Sequence, residues 1–490
     1  MISNLLEKLF RISEIKESKI LQIAALCFFI IFIISFNLWM NSVSWDMICS
    51  PHIAHCDLYK SILVFDGFPY SYDQSIFYII LLWVIFLWLY SLYIWEYAIV
   101  WWSLFLLSLY KWLYIYVFSA GNYDYYDIVL VLIFLFAHNK LYWLRIWYVL
   151  LYFLAATIKF HPWWILGTYF SALQTGLPLF PDISIPLWSN IAIITQIALC
   201  WMLLLNKNTK LFLLAEIYFM SFHFYSGILV EYRYLLTTIP LMMVLFILPK
   251  TIPYTKSYNI FSYIFIFLLF VGQSVAIMIP WDQKLTLEWN KYGLYMFKAN
   301  HQCITTYSII DATWAVTTTS RTSKLARDRC DPYDAIKKYQ PLCSKNWVER
   351  IAMTFDHSIN GEPFYRIVDE RDICQLHYTA FVRNSWIKSE SDNPLLIGYP
   401  VKNFYDGNIK TETNTPITDW SLIRLPWLEH TDRVSMNTFQ KMLLPLVDHI
   451  TLLYWSIWAI TLITVIILHI MSISHLNSTH AKNKNIDLLP

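Results

Sequence analysis

Residues 152–169 read YFLAATIKFHPWWILGTY, an apolar run that closes on a lysine, a histidine and a proline. Lys159 is the residue that needs a reason. Placing an ammonium at bilayer depth costs about 2.5–3.5 kcal/mol on insertion scales, so a lysine inside an apolar span points to function. The competing reading is an anchor, since a long stem lets the charged head of a span-end lysine reach the headgroups. Pro162 stops a helix soon after Lys159, and Trp163 and Trp164 are residue types of the membrane interface, so the stretch reads as a span arriving at a surface. A lysine held there, away from bulk water, gives up its proton more readily, the state that a general base or an amine nucleophile requires.

Working outward, the 490 residues are 57% hydrophobic, 18% aromatic and only 14% charged, which excludes an ordinary soluble domain and predicts a polytopic membrane protein. The net charge of +2 says nothing about partners, and the lack of any dense Lys/Arg block speaks against nucleic acid. Apolar runs of spanning character fall at about 20–40, 76–95, 97–118, 127–137, 143–160, 187–205, 211–230, 235–249, 259–280 and 446–471. The run at 127–137 is too short to span unless it extends or is re-entrant. The fold class expected is an all-α polytopic membrane protein of about ten transmembrane helices with a small extracytoplasmic α+β domain.

The basic residues give that architecture a direction. With the N-terminus inside, the inner segments carry Lys8, Arg11, Lys16, Lys19, Lys140, Arg145, Lys207, Lys210, Lys250, Lys256, Lys482 and Lys484, and the short outer loops carry Lys60 and Arg233. Such asymmetry predicts cytoplasmic N- and C-termini, with Lys159 and the polar region 281–443 outside. The domains expected are an amphipathic cytoplasmic segment at 1–19 lying at the interface, a transmembrane domain of about nine helices at 20–280, the outer domain at 281–443, a last helix at 444–471 and a disordered polar tail at 472–490. In the outer domain, 364–368 and 377–382 read as strands and 331–353 as helical. Cys27 and Cys200 fall in spans, whereas Cys49, Cys56, Cys303, Cys330, Cys343 and Cys374 fall in polar segments. Disulfides are expected there: Cys49 with Cys56, and one of three connectivities for the other four. No CxxC spacing suggests a metal. The outer domain has no Asn-Xaa-Ser/Thr sequon, which favours a bacterial inner membrane.

Other polar residues stand near the same stretch. His161, two positions from Lys159, is placed to orient a substrate or relay a proton, although interfacial histidines more often simply hydrogen-bond. His223 and Glu216 lie two helical turns apart in the run 211–230 and project from one face, where they either serve chemistry or staple helices. The loop before the first long apolar pair carries Asp46, Asp57, Asp66 and Asp73.

The pattern of alanine, small residue, aliphatic, Lys159, Trp164 and Gly167, followed by Phe222-His223 and Ser226, resembles the vitamin K-dependent γ-carboxylase family and its horizontally transferred transmembrane domain. That resemblance covers roughly residues 20–250. It implies a catalytic role for Lys159, His161 and His223, with Lys159 as the base that deprotonates a reduced quinone. It also places Trp163, Trp164 and Asn122 at the cofactor and implies oxygen and carbon dioxide as co-substrates. A glutamate-containing peptide or protein on the outer side would be the substrate and the lipid bilayer the other partner. Asn122-Tyr123-Asp124 departs from the family's asparagine-histidine pair, because Tyr123 stands where the histidine is expected. Two other classes fit parts of the plan. A lipid-linked glycosyltransferase would use the acidic first outer loop, and a transporter or non-catalytic binding protein would use paired, broken helices, of which the sequence shows no repeat.

Overall fold

The computed structural model describes residues 7–42, 97–118, 122–171, 177–205, 208–230, 232–249, 260–275, 301–322, 330–359, 365–379, 384–388 and 436–486, with a few single positions between 79 and 96 and at 287, 293 and 294. Most of it is helix. The long helices are α1 (Lys19–Ser42), α2 (Tyr97–Phe118), α3 (Asn122–Phe136), α4 (Lys140–Ala156), α5 (Ile185–Ala198), α6 (Lys210–Val230), α7 (Tyr232–Met242) and α8 (Ile260–Val275). A short helix, α9 (Pro332–Tyr339), belongs to the polar region, and α10 (Val447–Ile486) closes the chain. Each apolar run whose residues are described is therefore helical. The run at 127–137 extends back to Asn122, and the run at 76–95 lies mostly outside the described residues.

Three helical stretches are long and apolar enough to cross a membrane among the described residues: Lys140–Lys159, Asp182–Leu204 and Thr438–Leu468. The first is the most enclosed. Trp143, Trp147, Tyr148, Tyr152 and Phe153 of α4 are all buried, so α4 is the central post on which α3, α5 and α8 pack. A helix apolar on every side belongs inside a bundle, whereas α10 exposes Leu452, Leu453, Ile460 and Ile467 as a lipid-facing helix does. In α7, Pro240 removes one backbone donor, and the helix passes into a π-helical turn at Met243–Ile247.

The two end segments are both ordered in part. The N-terminal segment turns its apolar side chains onto the helical bundle: Ile12 and Ile15 are buried, and Phe10 stacks on Trp101 with ring centroids 5.3 Å apart. Glu14 accepts from the backbone N–H groups of Asn139 and Lys140 at 2.9 Å. Lys140 is fully buried and donates to the carbonyls of Phe10, Leu135 and Ala137. A short basic segment offers polar groups as well as an apolar face, and here Glu14 satisfies the open start of α4 while Lys140 satisfies the open end of α3. At the other end, α10 continues through residues 472–486, expected to be a disordered tail. Extending a helix already nucleated by its apolar half costs far less than starting one.

The polar region folds as an antiparallel sheet of order β2-β1-β3-β4, made of β1 (His301–Asp311), β2 (Val316–Thr322), β3 (Val348–Ile359) and β4 (Tyr365–Glu370). One face carries Ile351, Met353, Phe355, His357 and Ile359 of β3 against Tyr333, Ile336 and Tyr339 of α9. Disulfides Cys303–Cys330 and Cys343–Cys374 tie the helical layer to the sheet domain, with Cα atoms 5.5 and 5.7 Å apart, and so choose among the three connectivities. Cys49 and Cys56 lie outside the described residues. The helix expected over 331–353 ends with a 3-10 turn at Gln340–Ser344, and β3 begins at Val348. Residues 377–379 are not a strand, while 364–368 corresponds to β4.

Candidate functional site

The corner after α4 is built one residue at a time. The helix tightens into a 3-10 turn, Thr157–Lys159. Phe160 then takes φ −76°, ψ 62°, and the His161 N–H donates to the Lys159 carbonyl at 2.8 Å, an inverse γ-turn. Pro162 forces the residue before it into extended backbone, and His161 sits at φ −145°, ψ 147°. From there His161 caps the next short helix, Pro162–Ile165, its Nδ1 accepting from the Trp163 N–H at 3.4 Å. Gly167, at φ +71°, ends that helix in the left-handed conformation glycine tolerates best.

Lys159 is 4% exposed at this corner. Its Nζ donates to the Ala155 carbonyl at 3.0 Å and stands 5.2 Å from the centre of the Trp164 ring. Both are partners that a cation favours, and neither is an anion. Trp164 is itself buried, stacked on Tyr169 with centroids 5.0 Å apart and set edge-on to Phe170 at 5.2 Å. Trp163 packs against the core of the sheet domain. One indole therefore roofs the lysine and the other joins the two domains.

His223 is in a different place. It is fully buried on α6 and hydrogen-bonded to the Tyr152 hydroxyl. Tyr152 donates on to the Tyr148 hydroxyl at 3.2 Å, and Tyr148 donates to the Thr238 carbonyl at 2.9 Å. Because the chain ends on a carbonyl, each hydroxyl proton is already committed, and His223 Nε2 is the donor to Tyr152. The row joins α4, α6 and α7. Tyr152 precedes Lys159 by seven residues, about 10 Å along a helix, so Lys159 and His161 share one corner and His223 lies deeper. Glu216, expected on the same face as His223, is only partly buried. Asn122 opens α3, and its side chain lies outside the described residues, as do the four loop aspartates.

Two polar constellations were not anticipated. His301 and His357, on adjacent strands of the sheet, are buried with Nδ1 and Nε2 3.0 Å apart. On the opposite face, Asp356 accepts from Arg366 Nε at 2.9 Å. The alternation Ile351, Met353, Phe355, His357, Ile359 is the strand signal that would have placed His357 in the core. No group of three or more His, Cys, Asp or Glu residues is arranged to hold a metal ion among the described residues.

Comparison with known proteins adds no assignment: no protein-family model, curated protein or solved structure matches this chain.

Proposed function

We propose that this chain is a ten-span membrane protein of γ-carboxylase-like type, with cytoplasmic termini and an outer sheet domain in a bacterial inner membrane. Its reaction is the quinol-dependent carboxylation of glutamate or a related quinol-linked proton abstraction. The observation that carries the reading is the state of Lys159: a buried amine at a helix break, held by a carbonyl and an indole face, with no carboxylate paired to it among the described residues. A group so held is suited to alternate between amine and ammonium. A reduced quinone would supply the reducing chemistry. The chain's own part is to take a proton at Lys159 Nζ, to shield that atom from water under Trp164, and to keep the corner rigid through His161 and Gly167. His161, as a cap, acts as a positioning residue, and His223 serves the interior hydrogen-bond row. The two disulfides support an oxidising side for the sheet domain.

A second reading is favoured by the Lys159 bond to Ala155, one turn back. A lysine at the last turn of a helix also complements the helix dipole, which is a structural role. The Lys159→Arg variant separates the two, because arginine keeps the charge but not a removable proton. Quinol-dependent oxygen uptake and carbon dioxide incorporation into glutamate peptides should be lost in Lys159→Arg at matched expression and thermal stability. Full activity in that variant, or none in the wild type with any quinol, contradicts the proposal.

A further inference from the structure

The corner that bears Lys159 is tied by one side chain to a buried residue that follows α8. Gln273, near the end of α8, is 2% exposed, and its amide bridges two segments far apart in sequence. Its Nε2 donates to the Thr157 Oγ1 at 3.0 Å, and its Oε1 accepts from the Leu294 N–H at 2.7 Å. Thr157 passes the link on by donating to the Leu154 carbonyl at 2.7 Å. Thr157 opens the 3-10 turn whose third residue is Lys159. Leu294 is buried in the core of the helical domain, seven residues before β1 begins at His301. On its other side the corner meets the sheet domain, because Trp163 packs against that domain's core. The corner is therefore held from two sides, by Gln273 within the helical domain and by Trp163 against the sheet domain.

We infer that Gln273 is a positioning residue for the Lys159 corner, holding the 3-10 turn closed through Thr157 against the backbone of Leu294. A primary amide is the side chain the task requires. It offers a donor to one segment and an acceptor to the other, so the turn is fixed to Leu294 through a rigid planar group. Buried polar bridges of this kind resist opening, because each group released into an apolar interior loses its partner without gaining water. This role rests on Lys159 being the working residue of the site, but its test does not depend on turnover.

The test is competitive labelling of the full-length protein in detergent or nanodiscs with a small neutral acylating reagent. Lys159 modification is quantified against exposed lysines of the same chain across the neutral to alkaline range. Gln273→Met preserves length and apolar volume while removing both bonds, and Thr157→Val removes the hydroxyl alone. Losing one buried hydrogen bond shifts a local opening equilibrium by roughly tenfold, so Lys159 labelling should accelerate about tenfold in each variant and change its pH profile. The double variant should do little more than either single one, and Thr157→Ser should keep the wild-type profile. If Gln273→Met fails to fold, Thr157→Val and Thr157→Ser carry the comparison. A lowered melting temperature with an unchanged Lys159 profile in Thr157→Val or Gln273→Met overturns the proposal and leaves Gln273 a structural staple. Loss of activity in Lys159→Arg bears on the base assignment alone and leaves this role to be judged by the labelling.

Discussion

Replacing Gly167 by alanine asks whether the corner is as tightly built as its geometry implies. A Cβ at this position would stand 2.6 Å from Ile185 Cγ2, 3.1 Å from the Pro186 nitrogen and 3.2 Å from the Ile185 carbonyl carbon. Two of these three atoms belong to backbone at the start of α5 and cannot swing away. The residue also has φ +71°, where an L side chain meets its own carbonyl at a cost of roughly 1–2 kcal/mol. Forcing a methyl group into packed surroundings adds about 1–3 kcal/mol. Gly167→Ala should therefore destabilise by about 2–5 kcal/mol, read from reversible unfolding in mixed micelles. Ile185→Ala deletes the nearest atom, so the double variant should lose about 1–3 kcal/mol less than the two single costs combined. The backbone contribution would remain. A Gly167→Ala cost below about 0.5 kcal/mol, the range of an ordinary surface change, would refute both the clash and the left-handed assignment.

Three further outcomes follow from other parts of the molecule. Non-reduced peptide mapping should recover Cys303 with Cys330 and Cys343 with Cys374, and removing either bridge should cost the sheet domain about 3–4 kcal/mol for loops of this length; any other pairing contradicts the fold. Tyr152→Phe takes away the hydroxyl that accepts from His223 and donates to Tyr148, and should cost about 1–3 kcal/mol in the same unfolding assay, whereas a neutral result would mean that the interior row carries no weight. Burial raises the Asp356 carboxyl above its ordinary range and outweighs the opposing pull of Arg366, while the same bond raises Arg366. The folded state thus holds the Asp356 proton more tightly than the unfolded state does. Its contribution to stability is present below the ordinary carboxylate range and lost as pH rises through the raised value. Asp356→Asn should flatten that part of the stability profile, and an unchanged slope would show that another group sets it.

The helical domain was legible because its signal is long and repeated. Runs such as 97–118 and 211–230 are apolar at nearly every position, and helices form over them with ends within a few residues of those expected. The corner at 159–167 was legible too, through Pro162 and Gly167, whose backbone demands are local. What the two indoles do was not: Trp163 and Trp164 are ordinary interface residues in composition, and only tertiary packing sends one against Lys159 and the other onto the sheet domain. The sheet domain was the hardest to read. Residues 348–359 alternate in the manner of a strand, but Lys337, Lys338 and Ala335 beside them favour helix, and the helical reading ran across the boundary at Ser344. The pairing of His223 with Tyr152, 71 positions apart in the chain, has no local signature, and neither has the bridge made by Gln273. Contacts of that range come from how helices are stacked, which apolar periodicity does not encode.

The central claim is that Lys159 supplies a removable proton site, and chemical rescue tests it most directly. Lys159→Ala deletes the amine and leaves a space beneath Trp164 into which a small primary amine fits. Quinol-dependent oxygen uptake should fall to background in this variant and return when ammonia or methylamine is added, rising with the concentration of the unprotonated amine and with its basicity. Guanidinium, a permanent cation of similar size, should restore nothing. Recovery with guanidinium as well as with amines, or undiminished turnover in Lys159→Ala without any addition, would contradict the account and return Lys159 to the role of a helix-end cation.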